Sequence, residues 1–259
     1  MDCRYYKEKI KWIQKKLFQH KRSSIVSILS YSAGDKFMLK KILRYVSPIE
    51  RIVFCSISAV LLYPVFGKWV FIPVFILYWG IAFLITLKFA SLSGIKNWLQ
   101  KPTGKIGWLV LSVIVGFIPL QILLTNLHII TLPLMLLSIP FILLNSFFEE
   151  LYWRGFVLDY TFSSKIASSL YSSVLFILSH LFIWGVFSYG NRNYFLIGSL
   201  AIMSAVWCIV RIKTKSLWWC IVSHFLVDVF NLMVFVMLNL VIPEQGYIPA
   251  LELLFGTIR

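Results

Sequence analysis

The sequence predicts an all-α fold, a polytopic membrane bundle of about seven to eight transmembrane helices. Composition is the first reason: of 259 residues, 59% are hydrophobic, 17% aromatic and only 14% charged, with mean hydropathy +0.84. A soluble domain is roughly half apolar and a quarter charged. The second reason is a long gap in acidic residues, since none lies between Glu50 and Glu149. The third is the placement of the net charge of +15, because 13 of the 25 Lys and Arg residues fall between Arg4 and Arg51, ahead of the first long apolar run. By the positive-inside rule this places the N-terminus in the cytoplasm of a multi-pass cell-membrane protein.

The first element, residues 1–50, interleaves its cations with Ile10, Trp12, Ile13, Leu17 and Phe18. That spacing gives a helix one apolar side and a Lys-rich remainder, suited to lying on an anionic leaflet. Anionic lipid is therefore the expected partner of this tract. Nucleic acid is not expected, because the rest of the chain is already in the bilayer. Near Met1 there is no short apolar core followed by a small-residue cleavage site, so the first span is expected to direct targeting.

Residues 51–259 form the second region, a single multipass domain. A span needs about 20 mainly apolar residues, and the expected segments are 52–66, 69–87, 106–125, 130–158, 166–187, 194–211 and 216–242. Lys88, Lys96, Lys101 and Lys105 mark one connecting loop, and Arg211, Lys213 and Lys215 mark another. With the N-terminus inside, both loops fall on the cytoplasmic side. The tail 243–259 lies outside or forms a partial eighth segment. Cys3, Cys55, Cys208 and Cys220 have no metal-type spacing and read as reduced packing residues.

Ionisable residues inside the later spans are few: Glu149, Glu150, Arg154, His180, His224 and Asp228. Such groups are costly in a bilayer, face the protein interior or a wet cavity, and mark functional sites. In NSFFEELYWRGF, residues 145–156, Glu150 and Arg154 are an i, i+4 pair in the favourable order for an ion pair. Glu149 is rotated away from that arginine. An unpaired, desolvated carboxylate is the type of group that serves as a general base. If the helix ends near Leu158, Glu149 lies ~14 Å inside the cytoplasmic end. The competing reading is a charged helix end resting at the interface.

In SVLFILSHLFIW, Phe176 and His180 share a helix face. In WWCIVSHFLVDVFN, His224, Asp228 and Asn231 form a polar stripe, with Asp228 placed to orient His224. Packing roles are the alternatives here: a hydrogen-bonded histidine, and a polar helix–helix contact. From their expected helix starts, His224 is ~12 Å deep and His180 ~21 Å, and a shared intramembrane cavity is the expectation.

The stretches FFEELYWRG, FILSH and HFLVD together resemble the three motifs of the CPBP intramembrane proteases. That family includes the type II CAAX prenyl endopeptidases and the bacteriocin-processing or immunity proteins. Its pattern is Glu-Glu-x-x-x-Arg, Phe-x-x-x-His and His-x-x-x-Asn or Asp on successive helices, matched here over roughly 130–235. The resemblance implies peptide-bond hydrolysis in the membrane, with Glu149 and His180 activating water and His224 with Asp228 stabilising the oxyanion. Asp228 stands where the prenyl-protease branch looks most like Asn, and an ionised Asp cannot donate a hydrogen bond.

Family schemes differ on metal. Glu149, His180 and His224 are three ligands of the kind that hold catalytic zinc, with a position left for water. The same residues can also work without metal, and the absence of a His-x-x-x-His or His-Glu-x-x-His pair favours metal-independent glutamate chemistry. The expected function is an endopeptidase acting on a membrane-associated protein or peptide. A catalytically silent immunity or interaction protein on the same scaffold is the alternative. A proton-coupled transporter fits less well, because no paired repeats are visible. Nothing in the chain establishes a prenylated substrate, and a peptide-processing or immunity role suits its short length better.

Overall fold

The computed structural model describes residues 38, 42–125, 127–188, 191, 194–231 and 240. The chain divides into two compact units, Met1–Val46 and Ser47–Arg259. In the first unit residues 42–46 are helical. The expected amphipathic tract through residue 37 lies outside the described residues, as do the end of the seventh expected span and the tail 243–259.

The second unit is all-helical among its described residues. Helix α1 covers 47–66 and leads through a 3-10 turn, Gly67–Val70, into α2, Phe71–Trp98. Arg51 of α1 touches the ring of Tyr78 in α2. A continuous helix would hold residues 27 apart at about 40 Å, so this contact requires the chain to double back. Gly67, at φ 52, supplies the left-handed backbone for that reversal. Helix α2 is itself broken at Ser91, whose φ of 59 and ψ of 166 are non-helical.

Helices α3 (Gly107–Gly116) and α4 (Leu120–Thr125) are short. Helix α5, Leu132–Glu150, begins with Pro133 in its first turn, where no amide donor is needed, and continues through Pro140. A π-helical segment, Leu151–Val157, follows directly, then a last turn, α6 (Leu158–Tyr160). Helix α7, Lys165–Phe182, is capped by Ser164, whose hydroxyl accepts from the Ala167 amide at 3.3 Å. Helices α8 (Tyr194–Thr214) and α9 (Trp218–Phe230) complete the described bundle.

Four helical stretches among the described residues are long and apolar enough to cross a membrane: Ile42–Trp98, Leu132–Tyr160, Lys165–Val186 and Leu196–Thr214. The first holds two of the expected spans. Gly107–Gly116 and Trp218–Phe230 are shorter apolar helices where full spans were expected. Many outward-facing positions are apolar, with Leu61, Val65, Ile76, Leu84, Ile114 and Leu170 all exposed. Thr86, Ser138, Ser172 and Ser204 are buried instead, the arrangement a bilayer favours for polar side chains within spans.

Two connections place α9. At one end the loop after α2 is stitched to the α8–α9 turn: the Leu217 amide donates to Trp98 O at 2.8 Å and the Ser216 hydroxyl to Gln100 O at 2.7 Å. The two expected basic loops therefore meet at one end of the bundle. Along its length α9 packs on α3, where a Cβ at Gly116 would lie 3.1 Å from Ser223 O. Small residues allow this approach, and Ser112 Oγ uses it to donate to Trp219 O at 2.8 Å.

Candidate active site

Every residue from Glu149 to Leu158 is buried. Glu149, Glu150 and Arg154 are each 0% exposed, which removes the reading of a charged helix end at the interface. Their segment runs through the middle of the bundle, and the change from α to π geometry falls immediately after the two glutamates.

Arg154 and Glu150 form the expected pair, Nη1 to Oε1 at 3.1 Å. The guanidinium also donates from Nη2 to Ser204 Oγ at 3.0 Å, and lies 4.3 Å from the Phe176 ring centroid and 4.8 Å from that of Trp207. These contacts hold the cation in place. Glu150 has a second partner, because the same Oε1 lies 2.8 Å from His224 Nδ1. A carboxylate oxygen can only accept, so Nδ1 carries the proton in this contact. Here the structure differs from the expected orientation by Asp228, whose Oδ1 is 3.6 Å from His224 Nε2. Glu150 makes the short bond and so links the arginine to the imidazole.

Two further contacts fix the His224 ring. Trp207 stacks on it, centroids 4.6 Å apart and 18° from parallel. The Trp207 indole is in turn pinned by donating to Ser223 Oγ at 2.8 Å. His224 Nε2 then faces Glu149 Oε2 at 3.5 Å. Glu149 Oε1 accepts from the Tyr78 hydroxyl at 2.5 Å, while Oε2, though buried, has no hydrogen-bond partner. Such an orphan acceptor beside an imidazole is a place where a water or a reacting group fits.

Asp228 is held by Asn145, whose Nδ2 donates to Oδ2 at 3.1 Å. Asn145 Oδ1 accepts from Trp79 Nε1 at 3.1 Å. Asn145 and Glu149 are four residues apart on α5, as His224 and Asp228 are on α9, so the two helices pair these positions in register. Asn231, the third residue of the expected polar stripe, caps α9, its amide bonded to Val227 O at 2.8 Å.

His180 stands on α7 with Nδ1 2.9 Å from Phe176 O. A carbonyl only accepts, so Nδ1 bears the hydrogen and Nε2 keeps its lone pair. The Phe176 ring lies 4.5 Å from the His180 ring and 6.2 Å from that of His224. It thus bridges α7 to α9. His180 is half-buried, more open than the two glutamates. Among the described residues, no three His, Cys, Asp or Glu side chains are grouped to hold a metal ion. The set Glu149, His180 and His224 is therefore not gathered as a metal centre, and the chemistry below uses the chain's own groups.

Several contributors carried no ionisable signal in the sequence: Tyr78, Trp79, Asn145, Trp153, Ser204 and Trp207. Asn145, four residues before Glu149 within the same polar stretch, was the one that helical spacing could have found. Arg51, counted with the N-terminal basic tract, is 1% exposed and packed among aromatic rings.

Apolar helices enclosing paired carboxylates, an arginine and histidines define a helical membrane protein with an ionisable core. Residues 131–230 match the family model described as type II CAAX prenyl endopeptidase Rce1-like. Over that region the chain is similar to the CAAX-type proteases, and the matched region contains all six residues singled out from the sequence. No match is found among the curated proteins or among the solved structures.

Proposed function

We propose that this protein is an intramembrane endopeptidase, hydrolysing peptide bonds of a membrane-associated protein or peptide. The observation that carries the reading is Glu149: wholly buried, held at Oε1, and left without a donor at Oε2 opposite His224 Nε2. A water between Oε2 and a scissile carbonyl gives its proton to Glu149, and the hydroxide attacks the carbonyl carbon. His180, with its Nε2 lone pair, assists in orienting that water. The C–N bond breaks as the proton held by Glu149 passes to the departing amine, leaving a carboxylic acid and an amine, and transfer of the acid's proton to the amine gives the carboxylate and ammonium products.

His224 is the oxyanion-side residue. With Nδ1–H donated to Glu150, Nε2 donates only when the ring carries both protons, and Glu150, Glu149 and Asp228 stand close enough to compensate that charge. We assign the seven-segment topology with a cytoplasmic N-terminus to the same proposal. It is supported by the reversal at Gly67 and by the meeting of the two basic loops at one end.

Asp228 favours a second reading, a silent immunity or interaction protein, because an ionised carboxylate beside the oxyanion position donates nothing. One experiment separates the two. Membranes holding wild type, Glu149→Ala and His180→Ala at equal expression are given candidate peptides, and products are read by mass spectrometry. Cleavage by wild type alone is expected. Identical products from all three would refute the endopeptidase reading.

A further inference from the structure

The pairing of charges inside the bundle is uneven. Arg154 neutralises Glu150, whereas among the described residues no arginine or lysine pairs with Glu149, whose Oε2 faces only His224 Nε2 at 3.5 Å, and a second buried arginine has no carboxylate partner among those residues. That arginine is Arg51. Its Nε, Nη1 and Nη2 are buried without hydrogen-bond partners, and its guanidinium carbon lies 4.0 Å from the ring centroid of Tyr78, 3.7 Å from Tyr152 and 4.7 Å from Trp153. A buried cation with no acceptor is costly, and aromatic faces recover part of that cost.

Of the three rings, Tyr78 leads to the site. Its hydroxyl donates to Glu149 Oε1 at 2.5 Å and accepts from Trp153 Nε1 at 3.1 Å. The indole bond occupies a lone pair of the phenol oxygen, which leaves the hydroxyl hydrogen directed at the carboxylate. A cation on the face of a phenol draws electron density from the ring and makes its O–H a stronger donor. Arg51, the Tyr78 ring, the phenol hydroxyl and Glu149 thus form a continuous line from positive to negative charge.

We propose that Tyr78 is the positioning residue of Glu149, and that Arg51 acts through the Tyr78 ring to strengthen that hold and balance the carboxylate's charge. By pinning Oε1, Tyr78 fixes the rotamer that turns Oε2 toward His224 Nε2. Neither Arg51 nor Tyr78 lies within residues 131–230, so the first helical hairpin completes a site that the family-matched region carries only in part. The inference rests on the endopeptidase reading for its kinetic consequence, and on the hydrogen bond alone for its spectroscopic one.

The test uses the purified full chain with a peptide that wild type cleaves. Tyr78→Phe keeps the ring and its arginine contact and removes only the hydroxyl. Misplacing a reacting group by about 1 Å costs on the order of 100-fold, so kcat should fall by about that factor while KM stays within about twofold. Arg51→Met should lower kcat in the same direction, and Arg51→Lys should recover most of the loss. In parallel, ultraviolet resonance Raman difference spectra, wild type minus Tyr78→Phe, isolate the Tyr78 signal and report how strongly its hydroxyl donates. That signal should weaken in Arg51→Met and in Glu149→Gln.

Unchanged kcat in Tyr78→Phe overturns the proposal, as does a rise in KM with kcat intact, which would make Tyr78 a substrate contact. A Tyr78 Raman signal indifferent to both Arg51→Met and Glu149→Gln overturns it as well. If Tyr78→Phe does not fold, the Arg51→Met and Arg51→Lys pair decides through its kcat ratio. If wild type cleaves no peptide, the endopeptidase reading fails, while the Tyr78 Raman signal, isolated by the Tyr78→Phe difference in the wild-type and in the Arg51→Met background, still decides the coupling.

Discussion

Replacing Arg154 by methionine isolates its charge. Methionine keeps an unbranched apolar body between the rings of Phe176 and Trp207, so little cavity is opened. What is lost is the arginine partner of Glu150, which is 0% exposed, whose Oε2 already has no hydrogen-bond donor and which keeps only the His224 Nδ1 contact. Removing one member of a buried pair strands the other charge and costs about 3–5 kcal/mol. The bond to Ser204 Oγ adds about 1 kcal/mol, and because these groups form one network the losses will not add in full.

Against a total stability of about 5–15 kcal/mol for a typical domain, that is a large fraction. Thermal unfolding of the detergent-solubilised protein should therefore show a clear drop in midpoint for Arg154→Met. The double variant Glu150→Gln/Arg154→Met, which leaves no stranded charge, should melt above Arg154→Met alone. An unchanged melting profile for Arg154→Met would refute the buried pair. So would a double variant whose loss equals the sum of the two single losses, since that result means no coupling.

Gly155→Ala should destabilise by about 1–3 kcal/mol through overpacking, because its Cβ would lie 2.7 Å from Cζ3 of the Trp98 ring. Trp98→Leu in the same background should restore part of the melting temperature. Asn145→Leu leaves the Trp79 indole N–H and Asp228 Oδ2 without their partners. A stranded buried polar group costs about 1–3 kcal/mol, so the midpoint should drop, and a midpoint equal to wild type would count against the Trp79–Asn145–Asp228 chain. Cleavage should persist in a tight chelator; loss of activity that Zn²⁺ restores would place a metal in the mechanism.

Much of the site was legible because a bilayer-like composition makes ionisable residues conspicuous. Glu150 and Arg154 declared their pairing through four-residue spacing, and the structure keeps it at 3.1 Å. The role of Asp228 was not legible, since spacing along α9 shows that it can reach His224 but not that Glu150, on another helix, reaches it first. Tyr78 and Trp79 were hidden for a different reason. In an apolar run they look like ordinary ring packing, and their hydroxyl and indole N–H gain meaning only once the chain reverses at Gly67 and places them beside α5. Arg51 was misjudged on the same account, as one cation in a basic tract. The span boundaries were the least readable part, because α3 is shorter than a hydropathy window implies.

The π-helical segment explains why so much chemistry converges on one stretch. Ten consecutive buried residues, 149–158, need protein on every side of the helix, and α2, α7 and α8 all pack against Leu151–Val157. A helix with i→i+5 bonding is wider than an α-helix and less tightly bonded, so its carbonyls are more open to other donors. One of them is used: the Ser172 hydroxyl of α7 donates to Trp153 O at 2.8 Å. Tyr152 and Trp153 face Arg51, whereas Arg154, one residue on, faces Glu150 and Trp207. Consecutive side chains thus reach opposite cation environments, one behind each glutamate. The junction of α and π geometry falls where Glu149 must be separated from Glu150, so that two adjacent carboxylates have different neighbours: a phenol and an open oxygen for the first, an arginine and an imidazole for the second.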